Sequence, residues 1–111
     1  MQEIYVDDIG KGFPLVLVHG YLGSSEMWTL QKEYLSKHFR IIAPALPGFG
    51  ESYKVKSVDS ISAMANAIFQ CLDKKKVNRF NLMGHSMGGM IVQEMVKISG
   101  ERINKLICFA T

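Results

Sequence analysis

The segment Gly84-His85-Ser86-Met87-Gly88 constrains this chain more than any other. A short apolar run, Phe80 to Met83, leads into it, and a long apolar helical pattern, Met90 to Ile98, leads out. That order reads as strand, sharp turn, helix. A serine on such a turn is forced into a strained backbone conformation, with its hydroxyl lifted off the end of the sheet. The residues two before and two after it must be glycine, or nearly so, to avoid a clash. Gly84 and Gly88 meet that demand. The serine also stands at the start of a helix, where unpaired N–H groups and the positive end of the dipole favour negative charge developing beside it. The same five letters occur in glycine-rich turns that do no chemistry, so the weight rests on the strand and helix that flank them.

A second element is independent of the first. Leu15-Val16-Leu17-Val18 is a buried-strand run, and it ends in His19-Gly20-Tyr21-Leu22-Gly23-Ser24-Ser25. An apolar strand, a glycine-bearing turn, then Ser24 or Ser25 as a helix N-cap is what an oxyanion-hole loop needs, because a backbone N–H must be bared toward a reacting carbonyl.

The remaining elements alternate strand and helix, which predicts an α/β fold with a mostly parallel sheet and helices on both faces. A first strand is expected near Gln2 to Asp7, turning through Gly10-Lys11-Gly12 into the run at Leu15 to Val18. Glu26 to Lys37 follows as a helix, with Met27, Leu30, Tyr34 and Leu35 near helical spacing, and Arg40 to Ala43 as a short strand. Ser57 to Lys74 has the clearest helical period, with Ile61, Met64, Ala65, Ile68 and Leu72 on one face and Ser57 or Asp59 as cap. Phe80 to Met83 then leads to the serine turn, Met87 to Ser99 reads as a mostly buried helix ended by Gly100, and Ile103 to Phe109 as a closing strand. Residues 1–111 form one domain with no internal linker.

Three stretches in this order, His19-Gly20-Tyr21-Leu22-Gly23-Ser24, Ala43-Pro44-Ala45-Leu46-Pro47-Gly48-Phe49-Gly50-Glu51-Ser52 and Gly84-His85-Ser86-Met87-Gly88-Gly89, resemble the amino-terminal half of an α/β-hydrolase fold protein of the serine esterase and lipase type. The likeness runs from Ile4 to Phe109. It implies that Ser86 is the nucleophile, that the backbone N–H groups of Tyr21 and Met87 form the oxyanion hole, and that His19, Gly20, Gly84, His85 and Gly88 shape the two turns. It implies hydrolysis of a carboxylic ester, a lactone or a related acyl bond of a small-molecule substrate, with no cofactor and no metal. The same fold hosts carbon–carbon bond hydrolases and cofactor-free haloperoxidases; Ser86 argues only against relatives with an aspartate nucleophile. Ala45 stands where related sequences commonly carry aspartate before Leu-Pro-Gly.

In that family an acid and then a histidine follow the serine along the chain. After Ser86 there is no histidine, and Glu94 and Glu101 are the only acidic residues. Of the three histidines, His85 adjoins the serine on a tight turn that sends neighbouring side chains apart, His19 is structural by resemblance, and His38 reads as a solvated surface residue. The expectation is therefore a partial domain, the nucleophile half, that alone is inactive or nearly so. A different class of reading, a non-catalytic fragment or interaction module that keeps the turn, stands beside it. Tyr21, Met27, Trp28, Phe49, Met87 and Met90 are candidates for an acyl pocket, Trp28 and Phe49 foremost, with core packing as their ordinary alternative.

Composition excludes more than it assigns. With 48% apolar and 21% charged residues the chain can build a core and is not of the disordered class. The net charge of +3 needs no polyanionic partner, and Lys74-Lys75-Lys76 with Arg79 has no interleaved aromatics, so a helix-end cap is expected rather than nucleic-acid binding. No apolar stretch nears the ~20 residues that span a bilayer. The first residues lack the pattern of a signal peptide, so no membrane partner and a cytoplasmic location are expected. Cys71 and Cys108 read as reduced core or near-core thiols. Strand 103–109, if left as an edge, is expected to invite self-association.

Overall fold

In the computed structural model, which describes residues 4–19, 29–46 and 60–109, the strands are β1 (Val6–Ile9), β2 (Pro14–Val18), β3 (Arg40–Pro44), β4 (Phe80–His85) and β5 (Ile103–Phe109). The helices are α1 (Thr29–Leu35), α2 (Ile61–Lys74) and α3 (Met87–Ser99), with a short 3-10 turn at Gly100–Arg102. The five strands make one sheet in the order β1-β3-β2-β4-β5. β2 runs parallel to both β3 and β4, and β4 is parallel to β5. Each parallel step is made by a helical crossover, since parallel neighbours cannot be joined by a tight turn. The α/β architecture with a mostly parallel sheet is thus as expected.

β1 differs from the sequence reading. It starts at Val6 and pairs antiparallel with β3, not with the following β2. Gly10 and Gly12, both at positive φ, carry the chain past the loop that precedes β3; a Cβ on Gly10 would sit 2.5 Å from the Phe39 carbonyl oxygen. Glycine there lets two turns touch, which a hairpin would not require.

Side-chain alternation divides the core between the two faces of the sheet. Val16, Val18, Ile42, Phe80 and Leu82 face α2 and α3, meeting Met64, Ala65, Ile68, Phe69 and Leu72 from α2 and Ile91, Val92 and Met95 from α3. Leu15, Leu17, Ile41 and Ala43 face the other way, against Leu35 of α1, Phe39 and Met83. Of the α2 stripe read from the period, all but Ile61 are buried.

Helix ends follow local chemistry. Ser60 caps α2 by accepting from the Ala63 N–H at 3.0 Å; the expected caps Ser57 and Asp59 lie outside the described residues. At its other end Lys76 takes φ 59°. Its N–H reaches the Asp73 carbonyl and the Val77 N–H reaches that of Leu72, the paired bonds of a Schellman ending. Gly100 is the C-cap of α3, as the sequence suggested, though not in the left-handed conformation common for glycine there. It stays at φ −59° and passes into the 3-10 turn.

Three further expectations are corrected. α3 is amphipathic rather than mostly buried, with Met90, Val96 and Ile98 exposed. Tyr34 is 63% exposed and lies against the ring of His38 instead of facing the core. Cys108 is exposed, because β5 has a partner on one side only among the described residues, leaving Leu106 and Ile107 exposed too. No described helix is long and apolar enough to cross a membrane.

Candidate active site

β4 ends at His85 and α3 begins at Met87, so one residue, Ser86, makes the whole turn. Its backbone sits at φ 57° and ψ −122°. A side chain there costs about 1–3 kcal/mol and persists only where the surroundings dictate it. Here they do. A Cβ on Gly84 would lie 2.5 Å from the carbonyl oxygen of Gly88, and one on Gly88 would lie 2.3 Å from that of Val18. Strand and helix therefore approach to backbone contact on both sides of the serine, and the connection is too short for relaxed geometry. The Ser86 carbonyl accepts from the Gly89 N–H at 2.8 Å, while its hydroxyl makes no cap bond to the helix. Ser86 is exposed although Gly84, Gly88 and Gly89 around it are buried.

Topology explains why the site lies here. β2 leads through α1 to β3 on one side; β4 leads through α3 to β5 on the other. α1 packs on one face of the sheet and α3 on the opposite face. The helices that follow the neighbouring strands β2 and β4 thus lie on opposite faces, although the strands stay paired to Val18 and Gly84, and open α/β sheets bind ligands outside such a switch point. His19 follows β2 and Ser86 follows β4, so both stand at that switch point. Met87 is the first residue of α3, where a helix has no partner of its own for its N–H, beside the serine hydroxyl.

His19 is fully buried. Its Nε2 accepts a hydrogen bond from the backbone N–H of Leu46 at 2.9 Å. The sequence assigned His19 to shaping the turn but offered no signal for Leu46 as its partner, because the contact joins the ends of two strands far apart in the chain. Ala45 is also fully buried, and its N–H is bound to the Tyr5 carbonyl at 2.9 Å. The alanine suits that dry position.

The other titratable candidates fall elsewhere. Alternation along β4 places His85 with Met83 on the α1 face, away from Gly84 and the helix. His38 precedes β3 and Glu101 precedes β5, both at the amino ends of parallel strands. With six residues in β4 at ~3.3 Å each, that end of the sheet is roughly 20 Å from Ser86. Glu101 accepts from the Ser99 hydroxyl, which holds its carboxyl below the usual range. Glu94 lies two turns into α3, bound by the Ser62 hydroxyl and paired with Lys97 at 3.7 Å. Among the described residues, then, the structure brings Ser86, Met87, Gly84, Gly88 and His19 together, and neither His38, Glu94 nor Glu101 joins them. Gly20, Tyr21, Met27, Trp28 and Phe49 lie outside the described residues.

Known proteins give this arrangement its context. A hydrolase of Acinetobacter baylyi that acts on (E)-2-((N-methylformamido)methylene)succinate is 37% identical over 82 residues, covering 74% of this chain and 31% of its own. The pimeloyl-[acyl-carrier protein] methyl ester esterase of Aliivibrio fischeri is 32% identical over 109 residues, 98% of this chain and 40% of its own. Among solved structures, a thermophilic esterase from Thermogutta terrifontis superposes with a TM-score of 0.89 at 34% identity, covering 95% of this chain and 39% of that one. The chain spans about a third to two fifths of the length of these hydrolases. The family model for the alpha/beta hydrolase fold matches residues 14–111. That match takes in β2 through β5 and the serine turn together, and the chain belongs to the α/β-hydrolase fold family.

Proposed function

We propose that Ser86 is the nucleophile of a serine hydrolase acting on a carboxylic ester, a lactone or a related acyl bond. Its hydroxyl oxygen attacks the acyl carbonyl, and the backbone N–H groups of Met87 and Tyr21 bind the oxyanion that forms. The alkoxide leaves, an ester to Ser86 remains, and water releases the acid. A serine hydroxyl is a weak nucleophile at neutral pH without a base. The proton is therefore taken and returned by a histidine held by a carboxylate, neither of them among these 111 residues, since His19 is committed to Leu46, His85 lies on the α1 face of β4 and His38 lies at the far end of the sheet.

The observation that carries the reading is the backbone of Ser86. A serine kept at φ 57° between two glycines that cannot bear a Cβ is held there against its own preference. Stored strain of this kind collects where chemistry needs a group presented in one orientation. The esterases and hydrolases to which the chain is similar support acyl chemistry of this class. A cytoplasmic site of action belongs to the same proposal.

The test is turnover of p-nitrophenyl acetate and butyrate by the longest gene product that contains these residues. Ser86→Ala is expected to lower kcat by about six powers of ten, as loss of a triad member does. Hydrolysis that survives this substitution unchanged would reject the proposal.

A further inference from the structure

Met87 and Met90 both lie in the first turn of Ser86's helix, and their surroundings differ. Met87 is half-buried and packs against the larger core cluster. Met90 does not: it is 53% exposed, while Gly88, Gly89, Ile91 and Val92 around it in the chain are all buried. Its place on the helix gives that exposure a direction. Residues four apart share a helix face, so Met90 stands one turn, about 5.4 Å, along the axis from the exposed Ser86. A helical side chain leans back toward the amino end and covers the turn before its own Cα. The thioether chain of Met90 therefore lies over the turn that starts at Ser86. Val96 and Ile98, the other exposed apolar residues of α3, are about three turns from the serine and do not reach it.

This end of the molecule is also poor in charge. Leu17 to His19 at the end of β2, Met83 to His85 at the end of β4 and Met87 to Met90 in α3 include no aspartate, glutamate, lysine or arginine. The first charged residue along α3 is Glu94, one turn beyond Met90, and its carboxylate is held by the Ser62 hydroxyl and Lys97. An acyl chain ending in a carboxylate finds no cation among these residues. An aliphatic one finds a polarizable thioether, whose three rotatable bonds let it adapt to the chain beside it.

Resting on the reading of Ser86 as nucleophile, we propose that Met90 is a specificity-determining residue for the acyl group: its side chain is one wall against which an uncharged aliphatic chain lies when the acyl carbonyl is at Ser86. The substrates of the site are then esters of aliphatic acids longer than acetate. The role requires apolar bulk at position 90 and no polar group.

The experiment measures kcat/KM of the longest gene product for p-nitrophenyl hexanoate and p-nitrophenyl acetate, and takes their ratio, in wild type, Met90→Ala, Met90→Leu and Ile98→Ala. The ratio cancels the folded fraction and any change common to both esters, so a purely structural role leaves it where it was. Wild type is expected to favour hexanoate, and to favour it also over the mono-p-nitrophenyl ester of glutaric acid, which is of similar length but ends in a carboxylate. Met90→Ala should lower the hexanoate-to-acetate ratio about 10-fold, the low end of what a methylene is worth in an apolar pocket. Leucine, of similar volume, should restore it to within about 3-fold, and Ile98→Ala should keep the wild-type ratio. A Met90→Ala ratio within about 2-fold of wild type, in protein whose hydrolysis depends on Ser86, would overturn the inference while leaving Ser86 as nucleophile. So would a wild type that favours the acetate or the glutarate ester. Hydrolysis that survives Ser86→Ala, or none with any of the esters, would overturn the reading of Ser86 and this inference with it. Should Met90→Ala fail to fold, Met90→Gln, of nearly the same length but polar, takes its place under the same criteria.

Discussion

Replacing Ser86 with glycine should make the protein more stable than the wild type, although it removes the proposed nucleophile. The structure sets the magnitude. At φ 57° and ψ −122° a residue with a Cβ carries about 1–3 kcal/mol of strain that glycine does not. Against this, glycine gains freedom in the unfolded chain, which offsets about 0.4–1 kcal/mol. No other contribution of note changes: the hydroxyl makes no cap bond and the residue is exposed, so nothing buried is left unpaired and no cavity opens. Ser86→Gly is therefore expected to gain about 0.5–2 kcal/mol, and Ser86→Ala, which keeps the Cβ, to stay near the wild type. Ser60 provides the control. It too precedes a helix, but at φ −120° with its hydroxyl on the Ala63 N–H, so there both glycine and alanine should destabilise. Urea unfolding followed by circular dichroism, with unchanged m-values, measures all four variants. A Ser86→Gly protein less stable than wild type would refute the claim that the turn is strained.

Gly88→Ala should destabilise by several kcal/mol or prevent folding, because its Cβ would meet the Val18 carbonyl oxygen at 2.3 Å and both partners are backbone; thermal melting reads this, and a wild-type melting temperature would contradict it. Asp8, held at about 2 chiefly by the hydrogen bond from Arg40 with Lys75 adding to it, has a lowered folded value, so its contribution is complete above about pH 4 and disappears as the pH falls through 2. That contribution is about 1 kcal/mol once solvent screening of this surface cluster is allowed for, and it should show as a smaller loss of stability between pH 5 and pH 2 in Asp8→Asn. Arg102 donates to the carbonyls of Val77 and Asn78, pairs with Asp73 and lies over the rings of Phe69 and Phe80. Arg102→Ala should cost about 2–3 kcal/mol by denaturant titration, and Arg102→Lys, which cannot span both carbonyls, should recover less than half of it.

The parts of the fold that rest on local pattern could be read from the chain. The period of α2 gave its buried face, and the run Phe80 to Met83 before Gly84 gave both the strand and the serine turn. Contacts between distant segments left no such trace. β1 pairs with β3 because Gly10 and Gly12 let its exit touch the loop at Ser36 to Phe39, and nothing in Val6-Asp7-Asp8-Ile9 distinguishes that partner from β2. The bond from Leu46 to His19 is of the same kind. Exposure of Cys108, Met90 and Ile98 was also missed, since an apolar residue in a strand or helix tells of a face and not of whether that face is covered. For the site, the glycines at 84 and 88 were read for their true reason, a close approach that leaves no room for a side chain. The position of His38 and Glu101 at the opposite end of the sheet from Ser86 needed the strand directions first.

The central claim is that the strained turn presents an activated serine. Intact-mass and peptide mass spectrometry of the longest gene product after treatment with a fluorophosphonate tests it most directly. One covalent adduct is expected, on the peptide containing Ser86, absent from Ser86→Ala and from protein denatured before treatment. Adduct on another residue, or none on a folded wild type, would contradict it.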